Sequence, residues 1–368
     1  MALTPGEPLE LGAIPKVHAT PPLVSVIIVV RNGRDEICGA LDSIRQQNYP
    51  SLEVVVVDGM SSDGTRALVK EYARTIPDLA VRLLDNPGLI QSCGWNVGIL
   101  DATGPYFLRV DAVHCRLQSD YISSCLRQLL ALQERDPSVA AIGGRRESVA
   151  ANGDLWSEAI ALAQCSRFGV GNAAYRLSTR EGFTDTVGVP LYDRKVISQI
   201  GLFDESLGRS EDNEFHSRMR KRGLKVYFFP EARAAYRPRL TLSGLSSQMF
   251  HNGWWVSATV LRKRSFPFGL RHVAPFGFFM LLLVLVACSA MGVFLAKPAL
   301  LLVAGFYVLT SVIAGFQIAP ISRFWRVVLV FWTMHASYGA GTAMGFFAGS
   351  NRTPVGEHTA PGADTSNC

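Results

Sequence analysis

Two apolar stretches decide the fold: LVSVIIVV at residues 23–30 and LEVVVV at residues 52–57. Each is a nearly continuous run of aliphatic and β-branched residues, which is typical of a strand buried on both faces of a sheet. Between them Ile37, Leu41 and Ile44 recur at helical spacing. This part of the chain therefore predicts a strand, a helix and a second strand parallel to the first.

The alternation of strands and helices continues downstream. We expect a helix after residues 63–65, a strand at 81–84, a helix from about residue 90 and a strand at 106–110. This spacing predicts an α/β fold in which a mostly parallel central sheet is covered by helices on both faces. Ligands of such sheets bind beyond the carboxyl ends of the strands. Asp58 and Asp111 follow two of the predicted strands, so we expect the site there.

The last third of the chain is predicted to be a membrane domain. Residues 275–349 contain three charged side chains and no acid, and the whole chain has a mean hydropathy of +0.19. A single helix over 274–320 would be about 70 Å long, more than twice the roughly 30 Å of a bilayer core. We therefore expect two helices joined at Lys297-Pro298, followed by a third. The predicted transmembrane helices are about 274–296, 299–319 and 327–348.

The sequence thus divides into five regions. They are a flexible leader (1–22), a catalytic domain (23–240), an interfacial, basic juxtamembrane segment (241–272), the membrane domain (273–349) and a flexible tail (350–368). Basic residues precede the first predicted span and lie between the second and third, which puts both clusters on one side of the membrane. The positive-inside rule makes that side cytoplasmic. We expect a multi-pass protein of the plasma membrane with a cytoplasmic catalytic domain.

Charge and cysteine content exclude other classes. The formal net charge is +6, but residues 1–231 carry 25 basic and 28 acidic side chains, so the predicted catalytic domain is not basic. It has no basic stripe with interleaved aromatic residues, and we therefore expect no nucleic acid partner. The seven cysteines show no zinc-binding spacing, which indicates a reducing compartment.

Four separated segments carry the polar residues of the predicted site. They are Arg31-Asn32, residues 58–65, Asp111-Ala112-Val113-His114, and residues 201–218 with Glu211-Asp212. In this order and spacing the chain resembles glycosyltransferase family 2 over roughly residues 23–240. Within that family it is similar to the membrane-bound exopolysaccharide enzymes of the succinoglycan ExoA type. The segments of closer similarity are 58–66, 86–92, 168–172, 185–187 and 201–218.

The resemblance implies a GT-A fold that binds a nucleotide sugar and a divalent cation. Asp111 matches the first aspartate of the family's D-x-D motif and is expected to hold Mg²⁺ or Mn²⁺, which prefer hard oxygen ligands. The third position of the motif is Val113, which cannot bind such a cation. His114 stands one residue later. The sequence leaves open whether His114 contacts the metal or the diphosphate, or is a solvated loop residue.

The resemblance also assigns the nucleotide contacts. Asp58 corresponds to the aspartate that accepts a hydrogen bond from the uracil ring, so the expected donor is a UDP-sugar. Arg31 and Asn32 lie on the first loop, where they are expected to line the nucleoside. The family often has Asn-Glu at this point, whereas this chain has Asn32-Gly33.

Asp212 matches the family's catalytic aspartate, and Glu211 is its neighbour. Inversion requires one base to take the proton of the acceptor hydroxyl, and a carboxylate is sufficient. Adjacent carboxylates and burial both raise a carboxyl pKa, which favours a base. The alternative is that these acids only stabilise the amino terminus of a helix.

The sequence therefore predicts an inverting glycosyltransferase, in which one sugar moves to a lipid-linked saccharide acceptor carried on a polyprenyl diphosphate. The membrane domain also implies contact with membrane lipid. The resemblance places the reaction in exopolysaccharide or cell-envelope glycan synthesis. Two alternatives stay open: a polyprenyl-phosphate glycosyl synthase, and a catalytically silent nucleotide-binding scaffold subunit.

Overall fold

The computed structural model describes residues 20–112, 115–150 and 153–349. The amino-terminal elements are β1 (Val24–Val30), α1 (Arg34–Arg45), β2 (Leu52–Asp58), α2 (Thr65–Thr75), β3 (Val81–Asp85), α3 (Gln91–Asp101) and β4 (Tyr106–Asp111). The middle elements are β5 (Cys115–Leu117), α4 (Tyr121–Arg135), β6 (Val139–Ser148), α5 (Leu155–Gln164), α6 (Arg167–Val170), α7 (Ala174–Leu177), β7 (Gly182–Thr184), β8 (Pro190–Asp193), α8 (Lys195–Ile200), α9 (Glu211–Lys221) and β9 (Lys225–Tyr236). The last helices are α10 (Leu242–Lys263), a 3-10 turn (Leu270–His272), α11 (Ala274–Ala290), α12 (Ala296–Ile318) and α13 (Phe324–Ala348).

The strands form one mixed sheet in the order β3-β2-β1-β4-β8-β6-β9-β5, and β7 pairs with β9. The first four strands in this order are parallel, as the sequence predicts. Antiparallel β8 then separates β4 from β6. Because β1 lies between β2 and β4, the carboxyl ends of these three strands meet at one edge of the sheet.

Each face of the sheet packs on its own hydrophobic core. On one face, alternate residues of β1, such as Val26 and Ile28, pack with α1, α2 and α4. On the other face, Ile27 and Val29 pack with α3 and with Phe215 of α9. The two-sided burial explains why β1 is a continuous apolar run rather than an alternating one.

Helices α10 and α13 run parallel in close contact, and glycines make that contact possible. A Cβ on Gly341 would lie 2.0 Å from the carbonyl oxygen of Phe250, and one on Gly345 would lie 2.8 Å from that of Trp254. On α10, Gly253 similarly faces the Tyr338 carbonyl.

The α10–α13 pair is also anchored to the catalytic domain. Val327 and Phe331 of α13 pack with Ile160 of α5 in a separate hydrophobic cluster. Trp254 and Trp255 are buried against Leu207, in the loop that leads to α9. The predicted interfacial segment is therefore packed directly against the catalytic domain.

Helices α11 and α12 differ from α13 in their exposure. Within the described residues, Leu270–Ala290 and Ala296–Ile318 are the helical segments long and apolar enough to cross a membrane. No residue of α11 is buried, whereas ten residues of α13 are buried against its neighbours. Two of the three predicted spans therefore have suitable helices, and the third, on α13, stays a prediction.

The turn between the first two predicted spans is displaced from its expected position. Helix α11 ends at Ala290, and α12 begins at Ala296, so the connection precedes Lys297-Pro298. Pro298 lies in the first turn of α12, where the missing N–H needs no intrahelical partner. The sequence suggested that proline breaks the helix, but here it stands near the start of one.

Candidate functional site

The polar residues predicted for the site converge at the carboxyl edge of β2, β1 and β4. Val30 of β1 is in register with Asp58 of β2, and Val29 is in register with Asp111 of β4. Neighbouring strands lie about 4.8 Å apart, so the backbones of Asp58 and Asp111 are roughly 10 Å apart. Arg31 and Asn32, which follow β1, lie between them. The predicted grouping of these four residues is therefore present.

Asp58 is fully buried, and its two carboxylate oxygens differ. Oδ2 accepts hydrogen bonds from the backbone N–H of Ser61 at 2.9 Å and from Arg66 at 3.0 Å. Arg66 also pairs with Asp85 at 2.6 Å, at the end of β3. Oδ1 is buried and accepts no hydrogen bond from the described residues. Within the described residues, this oxygen therefore has unused hydrogen-bonding capacity at the end of β2.

Asn32 holds the loop that follows β2. Its backbone N–H donates to Ser61 Oγ at 2.8 Å, and its side-chain oxygen accepts from the Ser62 N–H at 3.0 Å. Its φ of 50° is left-handed, a conformation that asparagine tolerates better than most residues. Arg31 approaches the same loop, because a Cβ on Gly59 would lie 3.1 Å from the Arg31 Cβ. The two residues therefore shape the cleft between β1 and β2.

Asp111 ends β4 and is half-buried. Burial raises the pKa of the Cys115 thiol to about 12, and the negative charge of Asp111 is the second-largest cause of this rise. The same charge also reaches the guanidinium of Arg146, which stacks on the ring of Tyr236 at 4.0 Å. Val113 and His114 lie outside the described residues, so the proposed metal contact of His114 stays a prediction.

One carboxylate at the strand edge could contribute to a cation site that is shared with a substrate. Within the described ranges there is no group of three or more His, Cys, Asp or Glu side chains that could hold a metal ion. A site for Mg²⁺ or Mn²⁺ built on one carboxylate needs the remaining oxygens from substrate phosphates and water, a common arrangement for Mg²⁺. Asp111 at the strand edge supplies that one carboxylate. It is therefore the described residue that could hold such an ion together with a diphosphate.

Glu211 begins α9 and is joined to β4 by a buried ion pair. Its Oε1 accepts from Arg109 Nη2 at 2.8 Å, and both side chains are almost fully buried. The Arg109 guanidinium lies between Trp95 at 4.3 Å and Phe203 at 4.5 Å from the ring centres. Burial raises the pKa of Glu211, the Asp212 charge adds to the rise, and Arg109 opposes it.

Asp212 is half-buried, next to that ion pair. Its Oδ1 accepts from the N–H and the side-chain amide of Asn213 at 2.7 and 3.0 Å. No hydrogen bond to its Oδ2 is present among the described residues. Ser210, at the start of the helix, has a left-handed φ of 63°. Within the described residues, Asp212 therefore has one carboxylate oxygen, Oδ2, that accepts no hydrogen bond.

Below Asp212 lies a buried histidine that sequence reasoning did not identify. The imidazole of His216 bonds Thr186 Oγ1 through Nδ1 at 2.9 Å and the Tyr192 hydroxyl through Nε2 at 2.8 Å. Burial lowers its pKa to about 4, against the opposing charge of Asp212. His216 is therefore neutral near pH 7. Its two hydrogen bonds attach α9 to Thr186 and to Tyr192 of β8.

Arg109 and Arg146 were also missed by the sequence reasoning. The available signal was a charged residue inside an apolar strand, FLRVD, two positions before Asp111 and so on the same face of β4. Arg146 had no comparable signal, because its tyrosine partners are distant in sequence. By contrast, Arg109 joins Glu211, and with it the neighbouring Asp212, to the strand that ends in Asp111.

Comparison with known proteins places the chain among glycosyltransferases. Residues 25–201 match the family model described as glycosyl transferase family 2. The chain is 29% identical over 253 residues to the succinoglycan biosynthesis protein ExoA of Rhizobium meliloti, covering 68% of this chain and 73% of that protein. It is 26% identical over 263 residues to a dolichyl N-acetyl-α-D-glucosaminyl phosphate 3-β-D-2,3-diacetamido-2,3-dideoxy-β-D-glucuronosyltransferase of Methanococcus voltae, covering 71% and 80%.

The same fold occurs in a solved structure. Mannosyltransferase PcManGT of Pyrobaculum calidifontis, in complex with GDP-Man and Mn²⁺, aligns with a TM-score of 0.59 over 91% of each chain at 22% identity. This similarity shows that the fold is of the GT-A type. The family match and the two relatives identify the chain as a glycosyltransferase that contains a family 2 domain over residues 25–201.

Proposed function

We propose that this enzyme transfers one sugar, with inversion, from a UDP-sugar to a hydroxyl of a lipid-linked saccharide at the cytoplasmic face of the plasma membrane. The single observation that carries the proposal is the buried Arg109–Glu211 ion pair of 2.8 Å. It joins the strand that ends in Asp111 to the helix that begins with Glu211-Asp212. A donor held at the strand edge and an acceptor held at α9 would then meet at a fixed separation.

Asp212 is the proposed general base. It would take the proton of the acceptor hydroxyl while that oxygen forms a bond to the anomeric carbon of the donor. The bond from that carbon to the diphosphate oxygen breaks, and UDP leaves with the electron pair. One inversion needs no covalent intermediate, so one carboxylate is sufficient. Inversion is the general property of family 2.

Glu211 and Arg109 would position that base rather than contact the substrate. Glu211 is buried and already paired with Arg109. Asp212 is the partly exposed acid of the two, and is therefore the one that a substrate can reach.

The donor would be held by the strand-edge residues. Asp58 Oδ1, buried and without a partner in the described chain, suits the N–H of a uracil ring. Arg31 and Asn32 would line the nucleoside, and Asp111 would hold Mg²⁺ or Mn²⁺. The cation, when bound, supplies positive charge against the diphosphate as it leaves.

A lipid-linked acceptor is supported by two observations. Helices α11 and α12 are long and apolar enough to cross a membrane. The relatives named above act in succinoglycan biosynthesis or on a dolichyl-phosphate-linked sugar, by their names. We therefore place the reaction in exopolysaccharide or cell-envelope glycan synthesis, with a polyprenyl diphosphate-linked saccharide as the acceptor.

The donor site is tested by equilibrium binding of UDP, GDP and CMP to detergent-purified protein, with and without Mn²⁺. We expect Mn²⁺-dependent UDP binding that Asp111→Ala loses and that a surface control, Asp136→Asn, keeps. Binding of GDP or CMP in place of UDP would contradict the donor assignment. UDP binding without transfer to any acceptor extract would favour the nucleotide-binding scaffold subunit, and absence of any nucleotide binding would contradict the donor site itself.

The base is tested separately by transfer assays on an acceptor extract. General base catalysis contributes about 10²–10⁴-fold, so Asp212→Asn should lower transfer by that factor and leave UDP binding unchanged. Full activity of this variant would contradict the assignment and favour a phosphate acceptor, which needs no base.

A further inference from the structure

A cavity of about 430 Å³ lies between the catalytic domain and the carboxyl-terminal helices. Its walls come from α5–α7 on one side and from α10, α11, α12 and α13 on the other. None of the polar residues discussed at the strand edge lines it. The cavity therefore differs from the donor cleft and is built where the catalytic domain meets the apolar helices.

The lining combines positive charge with apolar surface. Three arginines line the cavity, Arg167, Arg176 and Arg271, and no Asp or Glu does. The helix side contributes apolar surface from residues such as Pro275, Phe278 and Met334. Such a lining fits an amphiphile with an anionic head and a hydrocarbon chain better than a free sugar or a free anion.

The polar part of the cavity has unused hydrogen-bonding capacity. Nδ1 of His272 forms a hydrogen bond of 2.7 Å with the Tyr338 hydroxyl. Its Nε2 is buried and has no hydrogen-bond partner among the described residues. A buried ring nitrogen without a partner is costly unless a ligand or water satisfies it. Arg167 lies exposed on α6, and none of the ion pairs found in the described chain involves it.

The same end of the cavity is connected to the proposed base. Arg271 Nη1 pairs with Asp185 Oδ2 at 2.8 Å. Asp185 is followed by Thr186, whose Oγ1 lies 2.9 Å from Nδ1 of His216 on α9, one helical turn after Asp212. A head group bound at Arg271 and His272 would therefore place the saccharide attached to it near Asp212.

We propose that this cavity binds the phosphate end of the lipid-linked acceptor, with the phosphate at Arg271 and His272 and the first isoprene units against Phe278 and Met334. The proposal rests on the proposed function, because it supplies the acceptor site for that reaction. Binding by Arg271 would compete with its ion pair to Asp185. The saccharide beyond the phosphate would then extend toward Asp212.

The test uses the full-length protein in a neutral detergent and geranylgeranyl diphosphate as the probe. We expect saturable binding that is at least tenfold tighter than that of geranylgeraniol, which lacks the charge, and of inorganic diphosphate, which lacks the chain. Micelles that contain phosphatidylglycerol should not compete. Equal binding of the alcohol, of the free anion or of phosphatidylglycerol would overturn the proposal.

Variants identify the site. Arg271→Gln should weaken binding of the probe by about tenfold or more, because it removes a charge-assisted bond. Arg167→Gln, at an exposed position outside these ion pairs, should weaken it about threefold without affecting the fold. The control is Arg45→Gln, on the far surface of α1. Unchanged binding by both folded cavity variants would overturn the assignment.

UDP binding measured on the same samples separates the two proposals. If UDP binds but geranylgeranyl diphosphate does not, the acceptor site is wrong and the transferase assignment is unaffected. If the lipid diphosphate binds and no nucleotide does, the cavity assignment stands and the proposed reaction fails.

Discussion

At the residue scale, the site is organised around one buried guanidinium. Arg109 pairs with Glu211, which compensates its charge. Its guanidinium also lies over two aromatic rings, those of Trp95 and Phe203. Removing one partner of a buried ion pair leaves an uncompensated charge, which typically costs about 3–5 kcal/mol. Arg109 is therefore a structural requirement for the position of Asp212.

A double-mutant cycle tests this pair. We expect Arg109→Met and Glu211→Gln each to lower the free energy of unfolding by about 3–5 kcal/mol. The double variant should lose less than the sum, by about 1–3 kcal/mol. Arg74→Met, which breaks an exposed pair with Glu71, should have a much smaller effect, because water screens that pair. Denaturant unfolding provides the measurement, and strict additivity at the buried pair would contradict the coupling.

His216 makes the stability of the protein depend on pH. Its pKa is about 4 in the folded protein and about 6.5 when unfolded, so the unfolded chain binds more protons between these values. Stability from the neutral imidazole is complete above about pH 6.5 and is lost as the pH falls toward 4. The loss is on the order of 3 kcal/mol. Thermal unfolding from pH 7 to pH 4 should show this slope in the wild type, and His216→Gln should flatten it.

A matched histidine variant checks that the slope has this origin. His251 lies on α10, where its ring bonds the Ser247 carbonyl. His251→Gln should keep the pH dependence of the wild type. The assignment to His216 is wrong if the two variants show the same profile.

At the scale of elements, the strands and their ends could be predicted, and the later helices only in part. β1, β2 and β4 follow from continuous apolar runs, and the residues after them fall at one edge because parallel strands end together. The antiparallel insertion of β8 could not be predicted, because its four residues show no period. The turn at 291–295 was missed, since Pro298 signals a helix end as readily as a first turn.

The contact between α10 and α13 depends on the absence of a side chain at one position. A Cβ on Gly341 would lie 2.0 Å from a backbone carbonyl, so even alanine forces the helices apart. We expect Gly341→Ala to destabilise the protein by about 1–3 kcal/mol. Gly305 on α12 has no atom within 4 Å of its Cβ position, and Gly305→Ala should be neutral or stabilising by up to about 1 kcal/mol.

Melting temperatures of the two glycine variants in one detergent decide the point. Both changes add one methyl group to a helix of similar composition. They differ only in whether a neighbouring helix lies against the added methyl group. If Gly341→Ala and Gly305→Ala melt together, the close approach of α10 and α13 does not stabilise the protein.

At the scale of the whole molecule, amino-acid composition does not determine how many of the carboxyl-terminal helices cross the membrane or in which direction. Helices α11 and α12 leave many large apolar residues exposed, whereas α13 is packed between α10 and α5. A cytoplasmic catalytic domain then requires the α11–α12 turn to face outward and the residues before α13 to face inward. The carboxyl end of α13 lies on the outer side of the membrane only if α13 also crosses the membrane.

Three exposed positions near helix ends separate these arrangements: Phe294, Ile321 and Phe347. In a background without the native cysteines, we expect Phe294→Cys to react with a membrane-impermeant maleimide from outside intact cells. Ile321→Cys should react only after permeabilisation. Outside labelling of Phe347→Cys would support a third span, and inside labelling would mean that α13 stays with the catalytic domain. Labelling of Ile321→Cys but not of Phe294→Cys in intact cells would reverse the proposed orientation and place the donor site on the wrong side for a cytoplasmic nucleotide sugar.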